Sequence, residues 1–325
     1  MWSNETVWQM CVATDWWQNR LEETCRIMTQ REHIGGLYLD VMQDCGLPCY
    51  WTPHGHSASG GDAITTGMHE LVERCAIAAK AIDPETIITG ENITENVIDV
   101  VDGTLQVTLW PENRAHIFAT VYQDFTERCG TELSTGVGWN DGFKDSLDDN
   151  AFFVECASLL VQGAQIGRIR MRPRDAALSL SNPKQQHMVD FLNQVLGYYR
   201  NETAKDFHAY GQFMRPLEFD APSPMPKIRY RDSEYRALWN GIFRNPQGEL
   251  GIFIANAGKQ ALAFKSTMNL ARHGMTADSV VDVDRISPTA ETERIHRNVK
   301  DSVTLTGTIS GRTIIMYHIK PAEDQ

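Results

Sequence analysis

Strand-like runs alternate with helix-like runs over the first 207 residues of this 325-residue chain, and that alternation limits the fold more than any other feature. Strand, helix and strand in succession imply parallel pairing through crossover helices. Val7 to Ala13 reads as a strand, Trp16 to Arg31 as a helix N-capped by Asp15, and Gly36 to Met42 as a second strand. Gly67 to Ala81 is an amphipathic helix with Leu71, Cys75 and Ala78 on one face; Asp83-Pro84 stops it ahead of a strand at Thr86 to Thr89. Further strands are predicted at Gly103 to Leu109, Ala115 to Tyr122 and Ile166 to Arg170, and further helices at Asn150 to Gly163 and Pro183 to Tyr199. Beyond residue 208 the texture changes. Ala237 to Phe243, Leu250 to Ala255 and Thr313 to Ile319 are short strands set off by Asn245-Pro246-Gln247-Gly248, Asn256-Ala257-Gly258 and Ser310-Gly311. That pattern predicts an antiparallel β-sandwich over 208–325, behind a β/α region over 1–207.

The first region counts about six strands, near residues 10, 38, 88, 105, 118 and 168. A closed (β/α)8 TIM-type barrel has eight. The fold class expected is therefore α/β: a partial barrel lacking its first two units, followed by the sandwich. The expectation carries a partner with it, an upstream chain that completes the barrel. On this count Asp40 ends strand four, Glu91 follows strand five and Asp124 follows strand seven.

Composition narrows the classes of function. Hydrophobic residues make up 42%, enough for a sizeable core. The net charge of -12 argues against nucleic acid as a partner, since phosphate binding needs clustered Lys and Arg. No run of 18 apolar residues occurs, so no membrane-spanning helix is predicted. The first residues, Met1-Trp2-Ser3-Asn4-Glu5, do not read as a secretory signal. Seven irregularly spaced cysteines, all before residue 157, suggest a reducing compartment, and a cytoplasmic location is favoured.

Carboxylates at the C-terminal ends of parallel barrel strands face one cleft. Glycoside hydrolysis uses two such acids across the scissile bond, one protonated and one ionised. Asp40, set in the run Gly35-Gly36-Leu37-Tyr38-Leu39-Asp40-Val41-Met42, is the candidate nucleophile. Glu91 is the candidate general acid/base, and Asp124 would orient hydroxyls or stabilise developing positive charge. Each has a plainer alternative: an N-cap or a loop-bracing carboxylate for Asp40, a helix-dipole acid for Glu91 with Glu95 as competitor, and Asp102 in place of Asp124. Tyr38, His54, His56 and Asp102 are candidate substrate-binding residues. So are Trp51 and Trp110, which with Trp139 fall in predicted loops where aromatics stack on sugar rings. Cys45, Cys49, His54 and His56 resemble a metal-ligand run, yet zinc sites usually show tighter pairs; no metal and no cofactor is assigned.

Several of these residues carry a family likeness. Met10-Cys11 with Thr14-Asp15-Trp16, Leu37-Tyr38-Leu39-Asp40, His54-Gly55-His56 with Gly60-Gly61, and Glu91 with Asp99-x-x-Asp102-Gly103 resemble a family of glycoside-hydrolase-like barrels known as a domain of unknown function. Trp239-x-x-Ile242-Phe243-x-Asn245-Pro246-x-Gly248 with Ile254-Ala255-Asn256 is similar to the β-sandwich appended to such barrels. A more distant similarity reaches the α-amylase-type barrels, with Tyr38 where that type has Arg two residues before its nucleophile. The resemblance implies glycosidase-type chemistry on a carbohydrate substrate. It also implies a longer N-terminal region, which makes a truncated fragment an expectation. The function expected is a retaining glycoside hydrolase (O-glycosyl hydrolase). A non-catalytic carbohydrate-binding or scaffold protein is the alternative, and a metal-dependent hydrolase using His54 and His56 a weaker one.

Overall fold

The computed structural model describes residues 10–40, 48–58, 62–91, 94–105, 117–122, 127–129, 149–166, 183–220, 227–230, 233–276 and 278–322. Contacts divide the chain into two units, Met1–Thr108 with Phe125–Cys129, and Leu109–Asp124 with Gly130–Gln325.

The first unit is built on four short parallel strands in the order β1 (Gly36–Leu39), β2 (Ile87–Glu91), β3 (Gly103–Leu105) and β4 (Glu127–Cys129). Helices α1 (Asp15–Glu32) and α2 (Ala63–Lys80) supply the crossover layer. The buried residues of α2, among them Met68, Leu71, Val72, Cys75, Ala76 and Ala79, recur at helical spacing and form one apolar face. They share a core with Leu37 of β1 and Ile88 of β2. Gly67 lets α2 approach closely: a Cβ there would lie 2.7 Å from the Ala13 Cα. The N-cap of α1 is Thr14, with Asp15 in the first turn, which corrects the expectation that Asp15 caps the helix. The Thr14 hydroxyl instead donates to the Cys11 carbonyl at 2.8 Å.

Other expectations also shift. Val12 and Ala13 form a turn where a strand is predicted, and residues 7–9 of that run lie outside the described residues. Where a strand is predicted over 115–122, the chain forms helix α3 (Ile117–Tyr122). The apolar residues there, Ile117, Phe118, Val121 and Tyr122, fall at i, i+1, i+4 and i+5, a helical stripe in a run too short to separate from a strand by composition. The strand of this region is β4, a Glu-Arg-Cys triplet with no apolar run to mark it. The predicted strand at Ile166 to Arg170 lies almost wholly outside the described residues.

The second unit centres on a six-stranded antiparallel sheet in the order β12 (Thr292–Val299), β11 (Val281–Ile286), β14 (Thr313–Pro321), β9 (Leu250–Asn256), β8 (Leu238–Arg244) and β5 (Gln212–Met214). A hairpin pairs β6 (Lys227–Tyr230) with β7 (Ser233–Arg236), and a separate ribbon pairs β10 (Leu262–Asn269) with β13 (Ser302–Ile309). Every residue of β9 is buried because both sheet faces are covered. Phe253 and Ala255 join a core with α4 (Asp149–Val161), α5 (Gln186–Arg200) and α6 (Glu202–His208). Ile252 and Ile254 point the other way, into a core with Phe264, Met268, Val303 and Leu305 of the ribbon. Gly241 of β8 admits the end of α4, since a Cβ there would meet the Val161 carbonyl oxygen at 2.0 Å. The region is thus β-sandwich-like, and the chain as a whole mixed α/β. Among the described residues, no helix is long and apolar enough to cross a membrane.

Asn256 closes the end of β9. Its side-chain amide donates to the carbonyls of Gln260, Ile309 and Ser310 at 2.8, 3.2 and 3.1 Å, and its oxygen accepts from the Gly258 N–H at 2.9 Å. Replacing it with Ala strands these groups in a dry site. Asn256→Ala is expected to lower stability by about 2–4 kcal/mol, read as a reduced urea midpoint; an unchanged midpoint would contradict the role given to this residue.

Candidate functional site

The register of the parallel sheet sets the geometry of the candidate acids. Leu37 pairs with Ile88, Tyr38 with Thr89 and Leu39 with Gly90. Asp40 and Glu91 stand one step past the last of these pairs, at the C-terminal ends of neighbouring strands spaced about 4.8 Å apart. Side chains alternate along a strand. Leu37 and Ile88 pack toward the helices, so Tyr38 and Thr89 belong to the opposite face, and the strand period carries Glu91 to that face too. Asp40 is an exposed turn residue directly after β1, and Glu91, half-buried, is the last residue of β2.

The remaining predicted residues divide into four groups. Tyr38 is 47% exposed and Trp51 62% exposed, both open enough to meet a ligand. Asp124, Trp110, Trp139 and Cys45 lie outside the described residues. The premise behind Asp124 nevertheless changes, because the segment before it is helix α3 and the strand, β4, comes after it.

Asp102 does not join the acids. It precedes β3 and is engaged at the level of Ile88, three residues and about 10 Å back along the sheet from Glu91. Its carboxylate accepts the Ile88 N–H at 2.8 Å and the Lys80 ammonium at 2.8 Å, while its own N–H donates to the Ile88 carbonyl at 2.8 Å. Those bonds extend the β2–β3 pairing by a side chain. Asp99 makes a comparable tie, with both carboxylate oxygens 3.1 Å from His69 Nε2 on α2.

His54 and His56 are drawn into a cluster that the local spacing does not reveal. Cys11, Cys49, His54 and His56 each offer one ligand atom, and these atoms all lie within 4.8 Å of one another. Cys11 Sγ is 3.1 Å from His56 Nε2, and Cys49 Sγ is 3.2 Å from His54 Nδ1. Burial pushes the Cys11 thiol above its usual range, and neighbouring Cys49 acts in the same direction. The scaffold holds Cys11 in place: Gln18 Nε2 donates to the Val12 carbonyl at 3.0 Å and Gly67 abuts Ala13. Cys11 precedes Cys49 by 38 positions, and the turn before α1 supplies no spacing that could pair them in advance. The sequence reading therefore groups Cys45 with Cys49 and misses the fourth member.

The role of Asp102 is open to a direct check. Asp102→Ala is expected to cost about 1–3 kcal/mol, because it leaves the buried Ile88 N–H without its acceptor. Thermal denaturation of the variant measures this; a melting temperature equal to wild type would contradict it.

Residues 1–131 match the family model described as Domain of unknown function (DUF6259). No curated protein matches the chain in sequence. Among solved structures, the chain is similar to a GH27 β-L-arabinopyranosidase from Geobacillus stearothermophilus, with a TM-score of 0.51 and 9% identity over 95% of this chain. An α-galactosidase from Saccharomyces cerevisiae gives a TM-score of 0.50 and 8% identity over 94% of this chain. This chain spans 62% of the arabinopyranosidase and 76% of the galactosidase. An Anoxybacillus α-amylase, at 10% identity over 95% of this chain and 64% of its own, has a TM-score of 0.48, too low to carry an argument. The chain has a distant glycoside-hydrolase-like fold, with a domain of unknown function matched over residues 1–131.

Proposed function

We propose that this protein acts on a glycoside through Asp40 and Glu91, and that its four-stranded parallel sheet is part of a (β/α)8-type barrel spanning residues 1–207 with a sandwich appended at 208–325. The reading rests above all on one observation, the register that leaves both acids one step beyond Leu39 and Gly90 on adjacent parallel strands. Carboxyl groups carried this way fall within reach of the spacing glycosidases use, about 5–5.5 Å for retention and about 6.5–9.5 Å for inversion. Asp40, exposed in its turn, is the nucleophile. Glu91, half-buried at the end of β2, is the acid that protonates the leaving oxygen and then activates water. The fold likeness to a β-L-arabinopyranosidase and an α-galactosidase supports a pyranoside substrate and selects the first compounds to try.

A second reading is favoured by Tyr38 and the exposed aromatics. Tyr38, Tyr50 and Trp51 are 47%, 71% and 62% exposed, and such rings bind sugars by stacking without any chemistry. This reading gives carbohydrate binding without turnover.

Aryl α-galactosides and aryl β-L-arabinopyranosides separate the two. Hydrolysis by the purified chain, with kcat/KM lowered at least about 10³-fold in Asp40→Asn and Glu91→Gln, is the outcome expected for the catalytic reading. Calorimetric binding of the sugars with no release of aryl alcohol would favour the second. Turnover unchanged in either variant would remove the acid pair from the mechanism.

A further inference from the structure

We infer that Cys11, Cys49, His54 and His56 form a closed tetrahedral zinc site that pins the loop after β1 to the turn before α1. The site is independent of the proposed glycosidase activity.

The donor set is the first argument. Two thiols and two imidazoles are the ligands of structural Cys2His2 zinc centres, and soft sulfur with nitrogen selects Zn2+ over the oxygen-seeking cations. Geometry is the second. A tetrahedron with Zn–S of about 2.3 Å and Zn–N of about 2.0–2.1 Å has edges of about 3.3–3.8 Å. Two of the four sulfur–nitrogen edges are 3.1 and 3.2 Å, and no pair of ligand atoms exceeds 4.8 Å. A cation entering this cluster needs only small side-chain adjustments.

The third argument is the tautomer of His56. Its Nδ1 lies 3.0 Å from the Ser57 carbonyl oxygen. A carbonyl can only accept, so Nδ1 carries the hydrogen, and the neutral ring presents the lone pair of Nε2 toward Cys11. Zinc-ligating histidines are characteristically held this way, with the distal N–H tied to a carbonyl. The fourth is preorganisation. Thr14 and Gln18 fix the backbone around Cys11, and the Thr52–His54 turn with Gly55 at φ 82° brings His54 and His56 to one side of the loop.

Binding balances simply. Two thiols release two protons to solvent, and the thiolates with two neutral imidazoles leave a centre of zero net charge. Four protein ligands leave no open position for water or substrate, so the zinc is structural, unlike the catalytic zinc of a metal-dependent hydrolase built on His54 and His56. The cluster also accounts for these two histidines, each of which sets one ring nitrogen against a thiol sulfur.

Elemental analysis of the full chain, purified without a polyhistidine tag or chelator, tests the inference. About one zinc per chain is expected, and Cys49→Ser and His56→Ala should each lose it while His69→Gln retains it. Because a ligand variant can fail by misfolding, the wild-type protein is also stripped and titrated with Co2+ under reducing conditions. Tetrahedral d–d bands together with thiolate charge-transfer bands are expected, and stripping should lower the melting temperature by more than about 5 °C. Absence of stoichiometric metal together with a pale octahedral cobalt spectrum, a Cys11–Cys49 disulfide in freshly isolated protein, or copper or iron in place of zinc would overturn the assignment.

Discussion

The in-register pairing of β1 with β2 is the constraint on which the first unit depends. A strand repeats its side-chain direction every second residue, so one pair of contacts settles the direction of all the others. Leu37 and Ile88 are committed to the core beneath α1 and α2, where both are almost fully buried. That commitment turns Tyr38 and Thr89 to the other face and sends Glu91 after them, with Asp40 in the turn directly after Leu39. A slip of one residue in either strand would bury a carboxylate among Met68, Leu71 and Val72, at a desolvation cost of several kcal/mol. The apolar side of the sheet therefore protects the arrangement of its polar side.

The second unit solves a different problem with the same alternation. Its central strand β9 is apolar at nearly every position because helices cover one face and the β10–β13 ribbon covers the other. Gly241 on neighbouring β8 admits a helix end, and Asn256 saturates the carbonyls at the close of β9.

Much of this was legible in the residues themselves. Helices α1, α2, α4 and α5 and strands β1, β2, β8, β9 and β14 follow from periodicity, since each has a long apolar face or a bounded β-branched run. Helix α3 was not, because a six-residue run with five apolar positions does not separate the two periods, and β4 carries no apolar run. In the site, Asp40 and Glu91 are visible as acids that terminate strands. Asp102 stands directly before the strand expected from Gly103, and its bonds to Ile88 and Lys80 show that it braces the sheet there. Cys11 meets Cys49, His54 and His56 through the packing of α2 against the turn at Ala13, a tertiary contact with no local signature.

The proposed acid pair requires that sheet register bring two carboxylates from neighbouring strands to one face at a distance suited to glycoside cleavage. The most direct measurement is the separation of the Asp40 and Glu91 carboxyl groups in a crystal structure of the chain. A separation within about 5–9.5 Å, with both groups on the face opposite α1 and α2, is predicted. A separation beyond about 12 Å, or carboxylates on opposite faces of the sheet, would contradict the account.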